Sequence, residues 1–195
     1  MILGITGGTG CGKSTLLSML EQQGALVLDC DKIYHQLLET DEALLSAIEA
    51  RFPGTVENGV LQRKKLGAIV FSDKNALWDL DKITHGAIKK EVLRRLEDKP
   101  KLAAIDAIGL FESGLAELCD ATVAVTAPAD VRLRRLMDRD CISAEYAQKR
   151  IAAQPDESWF REKCDYVLEN PGSLEDFRTK CLAFFKELGI MDVLI

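Results

Sequence analysis

The sequence predicts an α/β fold: a parallel sheet between layers of helices, interrupted by a helical insertion. Three observations predict it. An apolar strand, a glycine-rich turn, a helix and a second apolar strand follow one another within residues 2–28, and a strand–helix–strand unit of this kind makes its strands parallel. Residues 32–100 then change to helical periodicity. After residue 100 the alternation of strand and helix resumes and continues to the C-terminal region, the pattern of a sheet covered by its crossover helices.

Each element has its own signal. Residues 2–6 form a short buried strand, and Leu16, Leu17, Met19 and Leu20 set the apolar face of a helix over 14–23 that Gly24 ends. Residues 25–28 are the second strand and run into Asp29-Cys30-Asp31. The insertion places Ile33, Leu37 and Leu38, then Leu44, Leu45 and Ile48, at helical spacing, with a long helix over 75–96. Pro53-Gly54 and Asn58-Gly59 mark turns between these helical pieces. Strands follow at 102–105 and 122–125, a basic helix at 130–137, and a helix opened by Ser143 and Glu145 that reaches Gln154. A last strand at 166–168 and an amphipathic helix at 174–188 close the chain. The expected organisation is a single domain: a core of 1–31, 101–128 and 164–195, an insertion of 32–100, and a further helical segment of 129–163.

Composition excludes several classes. The 195 residues are 47% hydrophobic and 29% charged, the balance of a soluble globular protein with a core of its own. A net charge of −6 lacks the basic footprint of a nucleic-acid binder, while leaving room for focused binding of a small polyanion. The Cys residues at 11, 30, 119, 141, 164 and 181 form no CxxC pair, and only two histidines accompany them, which argues against zinc and for reduced thiols in a cytoplasmic protein. No apolar run reaches the roughly 20 residues of a membrane span, and no secretory signal opens the chain. The oligomeric state is left open.

Gly7-Gly8-Thr9-Gly10-Cys11-Gly12-Lys13-Ser14 fits GxxxxGK[ST], between a strand and a helix. The spacing has a chemical reason. Gly8, Gly10 and Gly12 let consecutive backbone amides turn inward on a phosphate, with Cys11 contributing its amide. The following helix points its positive end at the same anion. Lys13 reaches the β- and γ-phosphates, and the Ser14 hydroxyl is a ligand for Mg²⁺. This is a nucleoside-triphosphate site with Mg²⁺, and it specifies the three-layer sandwich of P-loop NTPases. No NKxD-type guanine motif accompanies it, and the chain is short for a motor, so a small-metabolite kinase is the expected class.

Asp29 and Asp31 stand two apart at a strand end, where side chains at i and i+2 project to the same side, on the edge of the sheet that binds ligands. Either carboxylate suits a base for an acceptor hydroxyl or a partner of Mg²⁺-bound water. The competing role is for Asp31 to cap the next helix. Asp106 ends the third strand, another place for a carboxylate that holds Mg²⁺-bound water. Trp78 and Trp159 are read as packing residues, and His35 as a surface or partly buried helix residue rather than a ligand.

Several stretches resemble dephospho-coenzyme A kinases. Residues 4–15, GITGGTGCGKST, resemble that family's GLTGGIGSGKS opening, and Asp29-Cys30-Asp31 stands where it has DAD. Leu61-Gln62-Arg63 with Leu66 and Phe71 is similar to its L-x-R-x-x-L-x-x-x-x-F stretch. His85 matches its HP segment, and Leu110-Phe111-Glu112-Ser113-Gly114-Leu115 its LLFE(A/S)GL. Arg135, Arg139-Asp140 and the RIAAQ of 150–154 resemble its lid, and Asn170-Pro171-Gly172 its N-x-G. The sequence departs from the family at Gly86, where proline is common, at Ile108-Gly109-Leu110 in place of Pro-Leu-Leu, and at Cys11 in place of serine.

The resemblance implies ATP-dependent phosphorylation of the ribose 3′-hydroxyl of dephospho-CoA, the last step of CoA synthesis. It makes Asp31 the base facing that hydroxyl and puts Arg63 and His85 in an acceptor-binding insertion. The loop through Thr15 then holds ATP, with Asn170 near the adenine and Arg135 and Arg139 in a lid over 129–163. Arg135 and Arg139 share a helix face and suit the charge that spreads over a moving phosphoryl group. Arg132 and Arg134 are read as surface residues. Two other readings compete: a kinase of another small acceptor, such as a nucleoside monophosphate or a sugar acid, and a non-catalytic nucleotide-binding regulator. The DxD, His85 and LFExGL set weighs against the first; Asp31, Lys13 and Arg139 weigh against the second.

Overall fold

The computed structural model describes residues 1–190. Strands β1 (Ile2–Thr6), β2 (Leu26–Asp29), β5 (Ala103–Asp106), β6 (Ala121–Thr126) and β7 (Tyr166–Glu169) form a five-stranded sheet in the order β2-β5-β1-β6-β7. β1 runs parallel to β5 and β6, and β6 parallel to β7. The sheet thus delivers Thr6, Asp106, Thr126 and Glu169 to one edge, the carboxyl edge where open α/β sheets bind ligands.

The chain forms two compact units, one of residues 1–28, 100–110 and the described residues from 115 on, the other of 29–99 and 111–114. In the first, Leu3 and Ile5, two apart on β1, face the same way. They join a core with Leu16 and Leu20 of α1 (Lys13–Gln22), Val123 and Val125 of β6, and Phe177, Cys181 and Phe185 of α9 (Leu174–Glu187), all nearly free of solvent. α9 starts on a capping box in which Ser173 and Asp176 exchange hydrogen bonds with each other's backbone amides. Between β6 and β7 lie α6 (Ala129–Asp140), α7 (Ala144–Ala152) and α8 (Glu157–Lys163). Ser143 caps α7 at the Tyr146 amide. α8 is one element the sequence reading did not separate; Asp156 starts it by accepting from the Trp159 amide.

In the second unit, α2 (Cys30–Thr40), α3 (Glu42–Arg51) and α4 (Arg63–Val70) pack on the long α5 (Lys74–Leu96). Ile33, Leu37, Leu44, Ile48, Phe52, Leu66, Ile88 and Val92 are among its buried side chains. Asn58-Gly59 marks the expected turn between α3 and α4, but the turn is not a bare loop: it closes an antiparallel hairpin of β3 (Val56–Glu57) and β4 (Val60–Leu61), which the helical periodicity does not show. Asn58 at φ 52° and Gly59 at φ 75° provide the pair of left-handed residues that such a two-residue turn requires. The strands are too short for alternation to reveal them. Trp78 is not a packing residue. It is 58% exposed, with the Lys82 ammonium 3.4 Å from its ring centroid, whereas Trp159 sits edge-on against the buried Phe160.

Candidate active site

The glycine-rich loop leaves β1 and enters α1 at Lys13. Two of its glycines are required by geometry. Gly7 has φ 137°, and a Cβ there would lie 2.2 Å from the Val125 carbonyl oxygen of the neighbouring strand. Gly12, which precedes the first helical residue, has φ 104°, and its Cβ would lie 2.3 Å from Asn170 Nδ2. Any side chain at either position breaks the approach of the loop to its support.

Lys13 folds back so that its Nζ donates to the Gly7 carbonyl at 2.9 Å. The ammonium is therefore held across the mouth of the loop. Ser14 is exposed and Thr15 partly exposed, both in the first turn of α1, where amides without helical partners accumulate positive potential. The Cys11 side chain is buried, and burial pushes its thiol up, against the opposing pull of Lys13. It serves the loop through its backbone.

Asn170, just past β7, is the buried polar residue that ties the loop to the opposite side of the site. Its Nδ2 donates to the Cys11 carbonyl at 2.8 Å, and its backbone amide donates to the Thr126 carbonyl at 2.8 Å. Its Oδ1 accepts from Arg135 Nη2 at 3.1 Å, and the same Nη2 donates to the Gly172 carbonyl at 3.1 Å. Arg135 Nη1 points at the Gly10 and Cys11 carbonyls at 3.4 and 3.5 Å. The loop, Arg135 and Asn170, distant in sequence, are thus one constellation. Beside it, a cleft of about 570 Å³ is lined by Ser14, Thr15 and Ser18 of α1 and by Leu174, Glu175 and Arg178 of α9.

Arg139 sits at the end of α6, exposed, with its Nε and Nη2 on the Asp140 carboxylate at 2.7 and 3.0 Å. Asp140 also accepts from Arg150 Nη1 of α7 at 2.6 Å. These guanidinium hydrogen bonds, Arg139 first, hold the Asp140 carboxyl at about 2. Arg134 is exposed and pairs with Asp130, as a surface residue should. Arg132 is not a surface residue. It is partly buried, and its Nε donates to the Thr9 carbonyl of the loop at 2.8 Å. Its sequence signal, one arginine among several on a basic helix, is the same as that of Arg134, so only the docking of α6 separates them.

The second unit carries Asp29, Asp31, Arg63 and His85, and Asp106 belongs to the first. β2 ends at Asp29 and α2 begins at Cys30, so Asp29 and Asp31 are not neighbours along a strand. Asp29 is the helix cap: its carboxylate accepts from the Lys32 amide at 3.0 Å. Asp31 lies exposed in the first turn of α2, and the capping role weighed for it belongs to Asp29. Arg63, the first residue of α4, is exposed, and its Nη2 lies 3.0 Å from His35 Nδ1. An arginine only donates, so this contact makes Nδ1 the acceptor. His35, set aside in the sequence, is thus the partner of an acceptor candidate. His85 lies partly buried on α5. Asp106 is the last residue of β5, in register with Ile5 of β1.

A parallel sheet whose glycine loop wraps a helix N-terminus, with a lysine across its mouth and an arginine–asparagine pair behind it, defines a P-loop small-molecule kinase. Residues 1–176 match the dephospho-CoA kinase family, and the chain belongs to that family. A dephospho-CoA kinase from Moorella thermoacetica is 37% identical over 194 residues, covering 96% of this chain and 92% of that one. A Thermus thermophilus protein of known structure aligns with a TM-score of 0.80 at 35% identity, over 96% of this chain and 97% of that one. A dephospho-CoA kinase from Campylobacter jejuni aligns with a TM-score of 0.69 at 30% identity, over 96% of each chain. The chain is an enzyme, a transferase with ATP as phosphoryl donor. No helix among the described residues is long and apolar enough to cross a membrane.

Proposed function

We infer that this chain transfers the γ-phosphoryl group of ATP to the ribose 3′-hydroxyl of dephospho-CoA, forming CoA and ADP. Family membership over residues 1–176 supports the reaction. The observation that carries its phosphoryl-donor half is the loop of 7–14 with the Lys13 ammonium across its mouth. On binding, the triphosphate takes the place of the Gly7 carbonyl as the partner of Lys13. Loop amides hold the phosphate oxygens, and Thr15 faces the α-phosphate side. Arg135 and Asn170, linked at 3.1 Å, flank the adenosine of ATP.

Ser14 is a hard oxygen donor at the first turn of α1, and Mg²⁺ suits it, because this ion keeps several waters and shares phosphate oxygens rather than needing an acidic cage. When bound, Mg²⁺ neutralises charge on the β- and γ-phosphates. In the proposed acceptor half, Asp31 takes the proton of the 3′-hydroxyl, and Arg63, steadied by His35, and His85 bind dephospho-CoA. Arg139 exchanges Asp140 for the transferring group as the helices of 129–163 act as a lid. Asp31 is available for this work because Asp29 caps α2 in its place.

Asp31→Asn preserves shape and removes the base. The variant is expected to bind dephospho-CoA as before while kcat falls by roughly 10² to 10⁴-fold, the usual worth of a general base. Product mapping by mass spectrometry and NMR should place the new phosphate on the 3′-oxygen. AMP, shikimate and gluconate should be poor acceptors, since none carries both the adenosine and the pantetheine arm. Preference for one of them, or transfer to another oxygen, overturns the acceptor assignment and leaves the ATP site standing.

A further inference from the structure

We propose that Arg132 and Gln154 are positioning residues that latch the phosphate loop, holding the peptides on both sides of Thr9 so that the loop meets a triphosphate already ordered; this rests on the reading of residues 7–14 as the ATP phosphate site. The contacts close into a ring. Arg132 Nε donates to the Thr9 carbonyl at 2.8 Å, Arg132 Nη2 donates to Gln154 Oε1 at 2.8 Å, and Gln154 Oε1 accepts from the Thr9 amide at 2.7 Å. The amide orientation of Gln154 follows, because its oxygen faces two donors. Both backbone polar groups of Thr9, one from the peptide before it and one from the peptide after it, are therefore held by side chains from the helical segment that follows β6.

The chemistry of the loop makes such a latch consequential. A glycine-rich segment loses more conformational freedom on ordering than any other, and a nest of amides binds phosphate well only if its peptides are already oriented. Thr9 stands between Gly8 and Gly10, with Gly7 at φ 137° and Gly10 at φ 77°, so its neighbours do little to fix it. Arg132 fixes it from α6, and Gln154 fixes it from just beyond α7. The guanidinium also lies close against the loop: a Cβ on Gly8 would fall 2.3 Å from Arg132 Nη2 and 2.6 Å from its Cζ. A planar fork that donates in two directions suits this place, and a lysine, one point charge on a flexible stem, does not reproduce it. The ring gives each of its residues hydrogen bonds to the other two, so removing any one member loosens the whole.

The test is a double-mutant cycle on the full chain, reading binding of a non-hydrolysable ATP analogue, steady-state kinetics and Tm. Arg132→Met and Gln154→Met are each expected to weaken analogue binding and raise KM for ATP by about tenfold, the scale of a charged hydrogen bond lost. KM for dephospho-CoA should stay within about twofold of wild type, as befits a residue serving one substrate. The double variant should be within about twofold of the worse single, because both substitutions open the same ring. Arg132→Lys should be as poor as Arg132→Met.

Full rescue by Arg132→Lys overturns the latch in favour of bare charge. Multiplying single effects, or a lower Tm with unchanged analogue affinity, overturns it in favour of independent or purely structural contacts. Lys13→Ala separates the two levels of the argument. If it binds the analogue like wild type, the ATP-site reading fails and the latch with it; if it loses binding while the Arg132 and Gln154 variants keep theirs, the latch alone fails.

Discussion

Arg139 illustrates how far a single side chain is committed before substrate arrives. Its guanidinium is spent on the Asp140 carboxylate, and the charge it is proposed to meet in the reaction develops only in the transition state. Interactions made only there raise kcat without tightening the ground state. Arg139→Ala should therefore lower kcat by on the order of 10³-fold while analogue affinity changes little. Equal kcat at saturating substrates would return Arg139 to a solvated ion pair. At this same scale, Lys13, Ser14 and the loop glycines are legible in sequence because their motif is local. Arg132 and His35 are not, because their partners, Thr9 and Arg63, lie far along the chain.

At the scale of the element, α2 separates two aspartates that look alike in sequence. Asp29 caps the helix with its carboxylate on the Lys32 amide. Burial opposes its ionisation, but the amide and ammonium of Lys32 outweigh that and hold its carboxyl below the usual range. Asp29→Ala should cost about 1 kcal/mol of stability, the usual worth of a cap, seen as a lower denaturant midpoint. Asp31→Ala should leave that midpoint in place and remove turnover. The reverse pattern would exchange the roles assigned here. The strand-to-helix transition at Cys30 was hidden because the apolar run ends at the same residues whichever element follows. The β3–β4 hairpin was hidden for a related reason: two-residue strands carry no period.

The whole molecule carries a pH dependence with a definite sign. Arg94 foremost, then Arg95, hold the Glu91 carboxyl at about 2 against an ordinary 4.5, overcoming its burial. Asp140 is held at about 2 against 3.8 by Arg139 and Arg150. A carboxylate depressed in the fold binds fewer protons than in the unfolded chain, so its stabilisation is complete above the unfolded value and is lost as pH falls through the folded one. Tm should be level from pH 7 to about pH 5 and then fall toward pH 2. Glu91→Gln should flatten part of that fall while lowering Tm at neutral pH. A Glu91→Gln profile parallel to wild type would show that this pair contributes nothing to the slope.

Sequence alone determined the class of the molecule and its phosphate chemistry. Gly7 to Ser14, the strand before them and the helix after them lie within a single contiguous unit, and both the amide nest and the helix end are local consequences of that run. It also fixed the alternation of strands and helices around the insertion, because hydrophobic period is a local property. Only the tertiary structure decided which carboxylate caps α2, that Arg132 rather than Arg134 reaches the loop, and that Asn170 binds Arg135 and Cys11 across 35 and 159 residues. The α2 cap is a contact three residues along and turns on where β2 ends. The Arg132 and Asn170 contacts depend on which face of α6 turns toward the loop and on where β7 ends, and they follow from packing between segments remote in the chain, where sequence has no period or spacing to offer.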